Sequence, residues 1–327
     1  MNPKMRSLLV AVALLGLGVE TAAAQTYPTR PITMIVPFTA GGPTDVIARI
    51  VGEHMSKTLG QQIIVENVVG AGGTVGSTRG AQAAPDGYVL TMGQMGTHGG
   101  APAMYPKLKY DPVADFAPVG MAAGTPILIV AKKQFPPANL KEFIAYVKAN
   151  TAKVNEAHAG AGSVSFTSCT LLNAQLGLKF TQVAYRGTGP ALNDLVAGQV
   201  DFMCDQIVNL VEQVKAGTIK AYAIATPERS PALPNVPTTK EAGLPEYQVT
   251  AWNALFAPKA TPPAIVNKLN DALDKALDDA NVRKRLLELG AVIPPKSERS
   301  PAWLGTFVQA EVARWTPILK AAGAKGE

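Results

Sequence analysis

Short apolar runs alternate with stretches whose apolar positions recur every three or four residues. The run 32–38 (Ile-Thr-Met-Ile-Val-Pro-Phe) predicts a buried strand, and Gly41-Gly42-Pro43 turns the chain after it. From Thr44 the spacing becomes helical: Val46, Ile50 and His54 fall on one row and Ile47, Val51 and Met55 on the next, with Thr44 or Asp45 able to cap the first turn. The runs 63–65 and 88–92 predict two more strands, and a helix-like segment opens at Gly70-Ala71-Gly72-Gly73 between them. Strand, helix, strand at this pace predicts βαβ units around a mostly parallel sheet.

The pattern restarts after Pro126. Strands are predicted at 127–131, 200–204 and 219–225, and helices around Leu140, Phe143, Ile144 and Val147 and over 165–176, 190–197 and 207–214. The segments 262–280, 282–289 and 301–322 read as largely helical. Two α/β lobes are expected. No low-complexity tether joins them, so they are expected to exchange strands.

Composition narrows the classes. Of 327 residues, 47% are hydrophobic and 17% charged, against a usual charged share of roughly 25%. That excludes disorder over the whole chain, and 30 Gly with 26 Pro lack a collagen period. The formal charge of +6 comes from scattered Lys and Arg, which argues against a nucleic-acid partner. Lys4 and Arg6, an apolar stretch over 7–19 and Ala22-Ala23-Ala24 form a secretory signal peptide over 1–24, which predicts export to the periplasm. Glu20 interrupts that stretch, and no later run is apolar enough to embed the chain in a membrane. In an oxidising compartment Cys169 and Cys204 are either a disulfide or two buried thiols.

Catalytic signatures are missing. There is no H-E-x-x-H, G-x-S-x-G or phosphate-binding G-x-x-x-x-G-K, and Gly70-Ala71-Gly72 has its third glycine one place late for a dinucleotide loop. His54, His98 and His158 have no metal-ligand partner at usable spacing, so neither a metal nor another cofactor is expected. What remains is three loops rich in glycine and hydroxyls: 38–45, 160–165 and 185–190. Each leads into a helix N-terminus, where amides and the macrodipole favour an anion. One lies in the first lobe and two in the second, which suits a small anion held between lobes.

The motif Pro37-Phe38-Thr39-Ala40-Gly41-Gly42-Pro43-Thr44-Asp45, with Ala48-Arg49 one turn later, resembles the opening of Bug-type periplasmic solute receptors of tripartite tricarboxylate transporters. So do Val65-Glu66-Asn67 with Gly70-Ala71-Gly72-Gly73, Pro85-Asp86-Gly87-Tyr88, Tyr185-Arg186-Gly187 with Leu192-Asn193-Asp194-Leu195, Gly198-Gln199-Val200-Asp201, and Pro234-Asn235-Val236-Pro237-Thr238. The resemblance covers the chain beyond residue 24. It implies a type II periplasmic-binding-protein fold, with lobe 1 from 25–125 plus 250–327 and lobe 2 from 126–249, hinged around a ligand cleft. It implies a non-catalytic, monomeric receptor that delivers a dicarboxylate or aromatic acid to membrane transporter subunits.

Carried onto this chain, the family's site implies a cradle of Phe38, Thr39, Ala40, Gly41 and Gly42 with Asp45, and a second wall of Gly96, Thr97 and His98. From lobe 2 it implies Ser163, Ser165 and Thr167, then Tyr185, Gly187 and Ala191, then Asp205 and Gln206. Phe166 stands where the family often has His, which points to a more apolar or aromatic acid. The sequence Cys204-Asp205-Gln206 resembles receptors with Cys at both positions, which favours a Cys169–Cys204 bridge. Competing expectations are an exported hydrolase using Ser163, a subunit presenting ligand to a membrane kinase, and an amino-acid receptor with an Arg186 clamp.

Overall fold

A computed structural model describes residues 27–326; the signal-peptide reading falls outside the described residues. In the first half, β1 (Ile32–Val36) lies between β2 (Ile63–Asn67) and β3 (Val89–Gln94), all parallel. Helix α1 (Pro43–Leu59) crosses from β1 to β2, and α2 (Thr74–Ala81) follows β2. These are the predicted βαβ units. Helix α1 begins one residue earlier than expected, with Pro43 in its first turn after Gly42 and no side-chain cap. Proline is favoured there because its missing N–H would have no helical partner.

A six-residue π-turn (Met95–Gly100) and the short α3 (Ala101–Met104) lead to β4 (Phe116–Lys132). This 17-residue strand, about 55 Å long at the usual rise, organises the molecule. Its first part pairs antiparallel with β9 (Thr250–Pro258), which in turn pairs with β3. Its last part pairs with β7 (Phe202–Gln206) on one side and β8 (Ile219–Ile224) on the other. The full order is β2-β1-β3-β9-β4-β7-β5-β6, with β5 (Asn155–His158) and β6 (Thr181–Ala184) at the far edge.

Helices α4 (Leu140–Ala149), α5 (Val164–Leu176), α6 (Thr188–Ala197) and α7 (Ile207–Lys215) surround the second half. Helices α8 (Pro263–Asp278), α9 (Ala280–Glu288) and α10 (Pro301–Ala321) return to the first half, where α8 packs on α1 and α10 on the π-turn. The apolar rows explain the packing: Ile47, Val51 and Met55 of α1 are fully buried in one continuous core with Leu269, Leu273 and Leu277 of α8. Among the described residues no helix is long and apolar enough to cross a membrane. The molecule has the periplasmic-binding-protein fold, an α/β architecture as expected.

Cys169 on α5 and Cys204 on β7 form a disulfide, with Cα atoms 5.3 Å apart. The bridge ties the helix that starts at one glycine loop to the strand that ends at Asp205 and Gln206. Closing a 35-residue separation contributes roughly 3–4 kcal/mol. The double variant Cys169→Ser/Cys204→Ser is therefore expected to unfold at lower urea by about 3 kcal/mol, and reductant should lower wild-type stability by the same amount while leaving the variant unchanged.

Candidate functional site

Four helix N-termini converge where β1, β5, β6 and β7 end. The loop before α1 supplies Thr39, Gly42 and Thr44; the loop before α5 supplies Ser163 and Ser165; Thr188 opens α6; and Gln206 precedes α7. With Phe38 and Gln94 they enclose an inner pocket of about 20 Å³, room for about one water-sized group. Among the described residues no charged side chain lines it. The positive ends of these helix dipoles point at this space, so it suits an anionic oxygen. Ser163 caps α5 by accepting from the Phe166 amide at 3.2 Å, and its hydroxyl lies 3.1 Å from that of Ser165. The buried Thr39 hydroxyl has no hydrogen-bond partner among the described residues.

The two walls touch through backbone. A Cβ on Gly72 would lie 1.6 Å from the Ala161 carbonyl oxygen, one on Gly96 2.1 Å from that of Gly162, and one on Gly187 2.0 Å from Thr39 Oγ1. Tyr105 locks the contact, its hydroxyl lying 2.5 Å from Ala161 O and 2.9 Å from Ala71 O, so that its one proton is shared between carbonyls of the two walls. Beside the inner pocket, adjoining it at Phe38 and Ala159, is an outer chamber of about 310 Å³. Gly70–Gly73, Tyr105, His158, Phe166, Tyr185 and Arg186 line it.

The residues expected at the site separate into groups. Phe38, Thr39, Gly42, Ser163, Ser165 and Gln206 line the inner pocket, and Tyr185 lines the outer chamber. Gly187 and Gly96 hold the contact between walls. Ala40 and Gly41 are exposed beyond the pocket. Asp45 lies behind the first loop, accepting from the Gly41 amide and Arg49 Nε at 2.9 Å and from Asn67 Nδ2 at 2.9 Å. Burial would raise its carboxyl, but these hydrogen bonds from Arg49, Gly41 and Asn67 hold it below the usual carboxylate range. Asn67 also donates to Phe38 O at 2.9 Å, so the Asp45–Arg49–Asn67 cluster sets the loop's shape.

Thr97 and His98 turn away from the pocket. Thr97 closes the π-turn on Gln94, and His98 stacks on Phe256 with ring centres 4.2 Å apart. Complete burial lowers His98 to about 3, so it is a neutral core side chain. Thr167 spends its hydroxyl on Ser163 O at 2.9 Å, and Ala191 is a core residue of α6. Phe166 lies in the outer chamber, edge-on to His158 at 5.0 Å. Thr44, Gln94 and Thr188 were missed as pocket residues. Thr188 sits in a glycine loop already singled out, and Gln94 ends a strand, so both carried a signal.

Asp205 is fully buried beneath Thr188. Asn209 Nδ2 donates to its Oδ2 at 2.8 Å, and its Oδ1 has no hydrogen-bond partner among the described residues. Burial pushes the carboxyl up to about 7, against hydrogen bonds from Gln206, Asn209 and Thr188 that favour the ion. Gln206 Oε1 accepts from Thr125 Oγ1 of β4 at 2.7 Å and from Asn253 Nδ2 of β9 at 3.2 Å, connecting the pocket to both long strands.

The family model for the tripartite tricarboxylate transporter family receptor matches residues 47–324. The chain belongs to this receptor family. Its fold follows that of MatC from Rhodopseudomonas palustris, solved with bound malate, at 53% identity and a TM-score of 0.87 over 90% of this chain and 100% of that one. The periplasmic binding protein BugD is 42% identical with a TM-score of 0.88, covering 91% and 99%. A UPF0065 protein in the TAR-I ttuE-ttuC' intergenic region of Agrobacterium vitis is 42% identical over 323 residues, covering 99% of this chain and 92% of the relative.

Two outcomes follow for this receptor. Gly96→Ala should weaken ligand binding at least tenfold by calorimetric titration, because the added methyl meets Gly162 O and holds the walls apart. The second concerns pH. Asp205 and Glu156, both raised by burial to about 7, keep a proton that the unfolded chain releases near 4, so each lowers stability as pH rises from about 4 to 7. His98 and His158, lowered by burial to about 3 and about 4, act oppositely up to 6.5, so wild-type stability should be nearly flat there. Asp205→Asn removes one falling contribution. Relative to wild type it should gain about 1.4 kcal/mol per pH unit between pH 4 and 7 in urea unfolding, and a pH-independent difference would refute the assignment.

Proposed function

We propose that this chain is an extracytoplasmic receptor for a short dicarboxylate, malate or a close analogue, and that it hands the ligand to a tripartite tricarboxylate-type transporter without chemically altering it. One observation carries the reading: an uncharged pocket faced by four helix N-termini and by Thr39, Ser163 and Thr188 can hold a carboxylate oxygen but has no charge to hold a cation. The near carboxylate sits in the inner pocket and the body of the acid lies in the outer chamber. Bound malate in MatC, 53% identical, supports a four-carbon acid. Phe166 and Tyr185 in the outer chamber favour an aromatic carboxylate as the second reading. A hydrolase finds less support, because the Ser163 hydroxyl caps α5 and lies against the Ser165 hydroxyl, which is no general base.

The segments 25–125 plus 250–327 and 126–249 act as two lobes that hinge on β4 and β9. An acid gripping both walls favours the state in which they touch. The protein acts as a monomer in the periplasm. Calorimetric titration of ligand-stripped protein with malate, succinate, adipate, citrate, benzoate and glutamate tests the reading. One-to-one binding of a four-carbon dicarboxylate with Kd near or below about 1 μM, equivalent to about −8 kcal/mol, is expected. Binding of benzoate alone would select the aromatic reading, and binding of none would overturn both.

A further inference from the structure

The outer chamber carries charge of one sign. Arg186 reaches it from the loop after β6, and Lys325 from the chain beyond α10. Both are exposed, and neither has an ion pair or hydrogen bond among the described residues. They belong to opposite walls. The segment carrying Lys325 is fixed to the first half of the molecule, where the Gly326 amide donates to Met104 O at 2.9 Å and Gly326 packs on the Tyr105 ring. Arg186 adjoins Tyr185, whose amide donates to His158 O at 2.8 Å in the second half.

Among the described residues no carboxylate lines the chamber. Glu156 accepts from Gln182 and Asn173, and Asp194 accepts from the Tyr185 hydroxyl at 2.6 Å, so both nearby carboxylates are held by neutral donors and not by the two cations. His158 adds a donor: its Nδ1 accepts from the Gly160 amide at 3.1 Å, which places the proton of the neutral ring on Nε2. The chamber adjoins the inner pocket at Phe38 and Ala159.

We propose that Arg186 and Lys325 form a second anion subsite that reads the far carboxylate of a ligand whose near carboxylate occupies the inner pocket. The inference rests on the carboxylate reading above and adds to it how the receptor selects dianions. The two subsites differ in physics. The inner one uses neutral, buried dipoles, which dissolved ions screen little. The outer one uses two exposed, flexible cations, whose attraction falls with salt. Because the cations stand on opposite walls, a far carboxylate meets both only when the walls are together, and an acid without that group loses this preference for the closed cleft.

The test compares succinate with succinamate, which has the same length but an amide in place of one carboxylate. Ligand-stripped full-length protein is titrated by calorimetry at about 20 mM and about 300 mM salt. Wild type should prefer succinate roughly tenfold at low salt, with the preference shrinking at high salt. Arg186→Ala and Lys325→Ala should each weaken succinate three- to tenfold, roughly, and leave succinamate unchanged. Lys107→Ala, at an exposed lysine outside the chamber, should change neither. Equal wild-type affinities for the two acids, or variants that keep the wild-type preference, would overturn the subsite. Failure of wild type to bind either acid would overturn the short-dicarboxylate reading, and the subsite with it.

Discussion

The site depends on two walls that meet through their backbones. Gly72 faces Ala161, Gly96 faces Gly162, and Gly187 faces Thr39, each so closely that one methyl group could not be inserted without movement. Only this approach lets helix starts from both halves point into one small space. A side chain at any of the three would separate the walls, admit water and weaken every dipole aimed at the pocket. The glycines therefore serve electrostatics through sterics. The Tyr105 hydroxyl, shared between Ala71 and Ala161, fixes the separation at which this holds.

A pocket lined by neutral dipoles sets conditions on nearby carboxyls. Asp45 and Asp205 meet them in different ways. Asp45 is ionised, yet its charge is matched by Arg49 and turned to the back of the loop, where it orders the amides without facing the ligand. Asp205 lies directly beneath a pocket residue with no cation beside it, and burial favours its proton up to about 7. An ionised carboxylate there would oppose a bound anion across a short, dry distance. The same side-chain chemistry is tolerated twice because one copy is compensated and the other neutralised.

Much of the fold was legible because amphipathic helices announce themselves. The rows of α1 and the three C-terminal helices fall within a residue or two of their expected bounds. The missed strands lack that signal for identifiable reasons. The first part of β4 is rich in Ala, Gly and Pro because α8 and the 296–298 turn press on it; a Cβ on Gly120 would meet Asn270, Leu273 and Arg299 O. β5 reads as polar because Glu156 and His158 are buried with partners from distant segments, Asn173 and Gln182 among them. At the site, the three glycine loops were visible as loops. Which hydroxyls face inward was not: Thr39 and Thr188 reach the pocket while Thr97 and Thr167 cap their own backbones, a choice made by tertiary packing.

Gln206 shows how occupancy of so small a pocket can matter to the whole chain. It lines the pocket at the start of α7, and its Oε1 accepts from Thr125 and Asn253, which lie two pairing steps apart on β4 and β9. These are the strands through which the first and second halves share one sheet. The Cys169–Cys204 bridge restrains the same region from the other side, one residue from Asp205. A group that fixes the Gln206 amide thereby acts on the two strands that join the halves, while the disulfide ties α5 to β7 beside the same pocket.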